Sequence, residues 1–432
     1  MQVINNPKPS TWKELLQRPT PTFEDIETTV AGVFKEVQSK GNQAIQKYTE
    51  LFDGVELDKI QVSLDEIKDA EKQVPEELKE AIQLAKQNIE AFHQAQKTER
   101  VEVETQPGVR CWQEKKPIQK VGLYIPGGSA PLFSSVLMLA VPANIAGCQE
   151  IVLCSPPNQE AKIHSAILYT AQLCGVTKIF KVGGIQAIAG MSFGTANIPQ
   201  VSKIFGPGNQ FVTVAKQYAT RYGVAIDMPA GPSELLVMAD DTAEPSFVAS
   251  DLLSQAEHGA DSQVVLVTTS TSLAKSVQQE IQIQLQALPR KDVASKAIEN
   301  SKIIIVPSNE EALKLIDEYA PEHFIVCTSD NAYFLENINN AGSVFIGNFT
   351  PESAGDYASG TNHTLPTNAY AKQYSGVNLD AFTKSITFQE IQPEGIDKIG
   401  KAVEIMAEAE GLYAHKNAMS LRVQFLKNND GN

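Results

Sequence analysis

From Phe23 to Lys40 apolar residues recur at helical spacing, and Gly41-Asn42 ends the run. Residues 76–98 repeat the pattern, so the first hundred residues read as helical. Pro107-Gly108 predicts a hairpin turn, and beyond it the texture changes. Strand-length apolar runs at Val121–Ile125, Glu150–Cys154, Lys178–Val182 and Lys203–Phe205 alternate with helical stretches at Phe133–Ala146, from about 160, at 184–193 and at 209–221. The rhythm resumes after Ile226. Strands are expected at Leu235–Ala239, Val264–Thr268, Ile303–Val306, Phe324–Val326 and Gly342–Ile346, with helices at 245–257, 271–285, 309–319 and 331–339 between them. Such alternation is the pattern of a parallel sheet with crossover helices, and two sets of similar size predict two Rossmann-like domains. No sequence repeat proves a duplication. Residues 347–380 are polar and read as loop, 394–427 read as a terminal helical region, and Asn428–Asn432 form a short polar tail.

At 432 residues the chain exceeds one ordinary core, which agrees with two domains. A net charge of −15 with no basic cluster excludes a nucleic-acid surface. No stretch approaches 18 uninterrupted apolar residues, and the first residues lack a signal-peptide core, so no membrane association is expected. The five cysteines are odd in number and form no Cys-x-x-Cys pair, which argues against a disulfide framework or a thiolate zinc site. Cytoplasm is the expected compartment.

Six histidines occur, and four lie in polar segments near groups able to bind protons or metals: His258, His323, His363 and His415. Scarce imidazoles beside carboxylates and amides point to a metalloenzyme. Gln255-x-x-His258 ends a predicted helix, where a spacing of three puts both side chains on one face. Asp356 offers a carboxylate from a loop, and Glu410 and His415 stand five apart on a terminal helix. Singly, these also read as a solvated helix end, a turn aspartate and surface groups. Together, amide, imidazole and carboxylate suit zinc. Glu322-His323 opens a predicted strand, where both side chains can reach one cleft as general bases. Two turns, Tyr124-Ile-Pro-Gly-Gly-Ser-Ala-Pro-Leu and Phe205-Gly-Pro-Gly-Asn209, leave a strand and enter a helix, as phosphate-binding turns do. Neither is a dinucleotide fingerprint or a P-loop, so from residues alone a zinc hydrolase acting on a small nitrogenous substrate stays open.

Taken in order, these segments resemble the histidinol dehydrogenase family. The resemblance runs from Tyr48-Thr-Glu-Leu-Phe-Asp-Gly-Val through Gly122-Leu-Tyr-Ile-Pro-Gly-Gly, Asp227-Met-Pro-Ala-Gly-Pro-Ser-Glu and Asp251-Leu-Leu-Ser-Gln-Ala-Glu-His-Gly. It continues through Ala320-Pro-Glu-His and Gly355-Asp-Tyr-Ala-Ser-Gly-Thr-Asn-His to Ala409-Glu-Gly-Leu-Tyr-Ala-His. It implies one zinc ion per subunit on Gln255, His258, Asp356 and His415, and a catalytic pair, Glu322 and His323. It implies substrate contacts at Ser233 and Glu410, at the four zinc ligands and at His323, and NAD contacts at Tyr124, Gln186 and Asn209. His363 receives no catalytic role, and His93 and His164 are read as structural.

The implied fold is α/β: two incomplete Rossmann-like domains with parallel sheets, plus helical N-terminal and C-terminal extensions. The implied division is an arm at 1–20, a first domain from 21–118 and 230–375, a second at 119–229, and an extension at 376–432 crossing to the other subunit of a homodimer with shared active sites. The implied reaction takes L-histidinol through L-histidinaldehyde to L-histidine with two NAD⁺, the last steps of histidine biosynthesis.

Overall fold

The computed structural model describes residues 1–19, 24–127 and 130–429. Phe23 at the start of the first predicted helix, Gly128-Ser129 of the first glycine turn, and the last three residues of the polar tail lie outside them. The described chain forms two compact units: Met1–Gln96 with Ile118–Phe382, and residues 97–117 with those from Thr383 onward.

The larger unit holds two wholly parallel sheets. One has the spatial order Lys178–Lys181, Glu150–Ser155, Lys120–Tyr124, Lys203–Phe205, Ala225–Ile226. Numbered by sequence, that is 3-2-1-4-5, the doubly wound order with its sixth strand missing. The other sheet repeats it with Lys302–Ile305, Gln263–Thr268, Glu234–Ala239, His323–Cys327 and Ser343–Ile346. Its outer edge carries a further strand, Gln2–Asn5, in register with Lys302–Ile305. The fold is thus α/β with two incomplete Rossmann-like sheets. The expected strands match those found within two residues at each end.

Parallel strands covered on both faces must be apolar throughout. Glu234–Ala239 and Gln263–Thr268 are buried at every position. Helices Glu24–Lys40, Asn42–Asp53, Leu64–Gln73 and Glu76–Gln94 put Val30, Phe34, Ile45, Ile82 and Ile89 into the cores around Leu123, Phe180 and Ile188. They therefore cover the sheet of residues 120–226, whereas the division inferred above grouped residues 21–118 with 230–375. The arm is not purely helical, since its strand Gln2–Asn5 joins a sheet.

Two other expectations are corrected. The polar stretch 347–380 contains the helix Glu352–Tyr357. Glu410 and His415 do not share a helix. Glu410 caps Pro393–Ala409, Gly411 turns the chain at φ +74°, and His415 lies in Tyr413–Asn429. In the smaller unit the predicted hairpin forms from Val101–Gln106 and Val109–Pro117, and Thr383–Ile391 adds a third antiparallel strand, so this extension is not helical alone. No helix among the described residues is long and apolar enough to cross a membrane. All five cysteines are free.

Candidate active site

Ala320 ends the helix Asn309–Tyr319 in the left-handed region at φ +50°, and Pro321 follows. The next strand therefore opens on His323 with Glu322 directly before it, side by side and both buried. The neighbouring strand begins at Glu234, whose backbone holds both. Its N–H donates to Glu322 Oε2 at 2.8 Å, and its carbonyl accepts from His323 Nδ1 at 3.1 Å. A carbonyl can only accept, so Nδ1 carries the proton and Nε2 is left free. Nε2 has no hydrogen-bond partner, and Asp356 Oδ1 is 3.6 Å away.

Helix Glu352–Tyr357 brings two carboxylates to this imidazole. Glu352 Oε1 lies 3.8 Å from Nδ1, and its Oε2 accepts from Ser254 Oγ at 3.3 Å. His323, Glu352 and Asp356 offer ligand atoms within 4.8 Å of one another. Glu352 was not foreseen: it is one acid in a polar stretch, and only the unrecognised helix, which places residues four apart on one face, joins it to Asp356.

Burial would lower the pKa of His323, but Glu322, Glu352 and Asp356 outweigh it and raise the imidazole well above its ordinary value. Burial pushes Glu322 and Glu352 up, with His323 opposing. Asp356 goes the other way: burial raises it, but the attraction of His323 and the other nearby imidazoles holds it below the usual range. Desolvation lowers His258, with Asp356 opposing and His323 and His363 reinforcing, so three histidines gather around Asp356. His363 donates from Nδ1 to the Asp356 carbonyl at 2.9 Å and meets Ser135 Oγ through Nε2 at 3.3 Å, which fixes the helix from behind.

Gln255 is fully buried, and neither amide atom has a partner; Asp356 Oδ1 and Glu352 Oε1 share that condition. Orphaned buried acceptors clustered with imidazoles are what a metal-binding set presents. The unpartnered oxygens of Gln255 and Asp356 are of the kind a cation takes, and His323, Glu352 and Asp356 are the ligand-bearing groups drawn together here. Ser233, half-buried, directly precedes Glu234. Glu410 and His415 belong to the smaller unit.

The other sheet carries a cleft of about 880 Å³ at the carboxyl ends of its strands. Tyr124, Ser155, Gly184 and Asn209 line it, with Asp53 and Phe52 from a covering helix. Tyr124 Oη accepts from Gly184 N–H at 3.0 Å, and Asn209 caps the next helix by accepting from Val212 N–H at 3.1 Å. Gln186 does not line the cleft; it donates to Asp53 Oδ2, which does, at 3.3 Å. Gly206 has φ +125°, and a Cβ there would meet the Tyr124 carbonyl oxygen at 2.0 Å. Only glycine lets the two turns lie together. The switch point of a 3-2-1-4-5 sheet, between strands 1 and 4, is where dinucleotides bind in such folds. Tyr124 and Gly206-Pro207-Gly208-Asn209 flank it. His164, read as structural, caps the helix Ser165–Leu173, and His93 is buried with Nδ1 bonded to the Ile89 carbonyl.

A nucleotide-sized cleft on one sheet and an imidazole–carboxylate cluster on the other define a two-sheet α/β enzyme. Comparison with known proteins carries this further. The family model described as histidinol dehydrogenase matches residues 16–423. Histidinol dehydrogenase from Bacteroides fragilis is 57% identical over 427 residues, covering 99% of this chain and 100% of the relative. The Haemophilus influenzae protein of that name is 53% identical over 95% and 96% of the two chains. A crystal structure of histidinol dehydrogenase from Elizabethkingia anophelis is 54% identical and superimposes with a TM-score of 0.97 over 99% of both chains. The chain belongs to the histidinol dehydrogenase family.

Proposed function

We propose that this protein oxidises L-histidinol to L-histidine through L-histidinaldehyde, with two NAD⁺ and one zinc ion per subunit, in the last steps of histidine biosynthesis in the cytoplasm. The observation that carries this is the pair Glu322-His323, fixed by one residue's backbone, with the unpartnered Asp356 Oδ1 3.6 Å from His323 Nε2. Zinc would be held by Gln255, His258, Asp356 and His415; when bound, it supplies a Lewis-acidic centre that orients the substrate's imidazole and amine. NAD⁺ would lie against Tyr124, Gln186 and Asn209; when bound, it accepts the hydride.

The chain's own groups then divide the proton work. His323 Nε2, in the neutral form that a cation held at Asp356 would favour, takes the hydroxyl proton as the alcohol carbon is oxidised. Glu322 takes a proton from the water that adds to the aldehyde carbon. His323 takes the hydroxyl proton of the resulting gem-diol during the second oxidation. Ser233 hydrogen-bonds the substrate, and Glu410 pairs with it. Glu410 and His415 lie on the terminal extension, which in this reading crosses to the other subunit of a homodimer, so each site is shared. The division into an arm, two sheet domains and an extension belongs to this proposal, with the helices of residues 24–94 assigned to the domain of the 120–226 sheet.

Incubation of zinc-loaded protein with histidinol and NAD⁺ should yield two NADH for each histidine formed. Chelation should abolish turnover, and zinc should restore it. Turnover without NADH, or full activity in a demonstrably metal-free sample, would overturn the reading; hydrolysis without NAD⁺ would point to the zinc hydrolase instead.

A further inference from the structure

The backbone that orients Glu322 and His323 is itself clamped. Glu234 has a side chain with no solvent exposure, and Arg18 reaches it from the N-terminal arm with 7%. The contact is a bidentate fork, Nε to Oε1 at 3.0 Å and Nη2 to Oε2 at 2.8 Å. Arg18 Nη2 also donates to the Tyr319 carbonyl at 2.6 Å, and its guanidinium lies 3.8 Å from the centre of the Tyr319 ring. Glu234 Oε1 accepts a second bond, from Asn368 N–H at 2.5 Å. One loop residue earlier, Thr367 Oγ1 accepts from Gly231 N–H, tying down the turn that bears Ser233.

A buried ion pair on an interior strand is a poor stabilising device, because an aliphatic pair of the same volume is often as stable or better. It does fix geometry, since a guanidinium–carboxylate fork sets both distance and plane. Here the fixed object is residue 234, whose side chain, N–H and carbonyl are all engaged, the last two by Glu322 and His323.

We propose that Arg18 and Glu234 are positioning residues for the proton-handling pair, Arg18 acting through the carboxylate of Glu234 and Glu234 through its own N–H and carbonyl. This rests on the reading of Glu322 and His323 as that pair. Without Arg18, a carboxylate with no solvent exposure loses its counter-charge and must move or take up a proton, and the shift passes directly to the strand end.

Arg18→Met in the zinc-loaded full chain should lower kcat by ~10–100-fold, the usual cost of losing a group that orients a functional one. KM for NAD⁺ should stay within about twofold, since Tyr124 and Asn209 stand on the other sheet. Arg18→Lys, which keeps the charge but not the fork, should fall between. Added guanidinium should restore part of the kcat of Arg18→Ala, and Glu234→Gln should resemble Arg18→Met. Thr268→Val is the control for mere stability: it removes the buried acceptor of Ser270 N–H at 3.0 Å, at the carboxyl end of the neighbouring strand and away from the clamp. It should lower the melting temperature and leave kcat unchanged. Wild-type kcat in folded Arg18→Met or Arg18→Lys overturns the proposal, as does a loss that only tracks the fraction of folded protein. Full kcat in His323→Asn overturns the underlying reading instead, whatever Arg18 does.

Discussion

One nitrogen of His323 is occupied by a backbone carbonyl and the other is free, so its role and that of Glu322 should separate under mutation. His323→Asn should slow both oxidations. Glu322→Gln should mainly impair oxidation of added histidinaldehyde, by ~10²–10⁴-fold, the usual contribution of a general base. Equal slowing of both steps would contradict the division. A second prediction concerns stability. Burial pushes Asp251 up to about 7. An unfolded aspartate titrates near ~4, so the folded state holds this proton more tightly, and stability falls as pH rises between the two values. Asp251→Asn should flatten that part of the curve and stabilise the protein at pH 8 by at most about 4 kcal/mol, readable by urea melts. At this scale the sequence exposes Gln255, His258, Glu322, His323 and Asp356 because their types are scarce or adjacent. It hides Glu352, which needs an unforeseen helix, and Arg18, whose partner is 216 positions away.

Among elements, strands of the parallel sheets were the most legible, because burial on both faces forces runs of apolar residues. Edge strands were not. Gln2–Asn5 has four residues and only one that is even half-buried, and Thr383–Ile391 is mostly exposed, so neither shows an apolar run. The turn after Lys203–Phe205 gives the sharpest test here. Gly206→Ala would force a side chain into the Tyr124 carbonyl. Binding of NAD⁺, followed by fluorescence titration, should weaken at least ~10-fold, with about 1 kcal/mol or more of stability lost at a positive φ. Lys216 and Asp227 grip the same glycine, the lysine at its carbonyl and the aspartate at its N–H, each at 2.8 Å. The substituted turn therefore has little room to relax.

Across the whole molecule, two sheets of one strand order are used at opposite ends. The cleft flanked by Tyr124 and Asn209 sits at carboxyl ends, as in other doubly wound folds. The Glu322-His323 cluster sits at the amino ends of the second sheet, a location its strand order alone does not disclose. If Glu410 and His415 reach a partner's site, mixing inactive His415→Asn with inactive His323→Asn under subunit exchange should restore about one quarter of wild-type activity, from one sound site in half the dimers. Exchange demonstrated with no activity regained would mean that each site is built within one chain.

The arm has a further consequence, for the order of events at the ribosome. Strand Gln2–Asn5 is synthesised before the other described strands, yet its partner is Lys302–Ile305, and the arginine that follows it belongs beside Glu234 and Tyr319. Contacts so distant along the chain form late and slowly. The sheet of residues 120–226, with its covering helices from 24–94, has all its strands out of the exit tunnel long before that. A nascent chain can therefore assemble the nucleotide-type half while the arm still awaits a strand that has not been translated, leaving the proton-handling half to be completed only when the arm and the later part of the polypeptide meet.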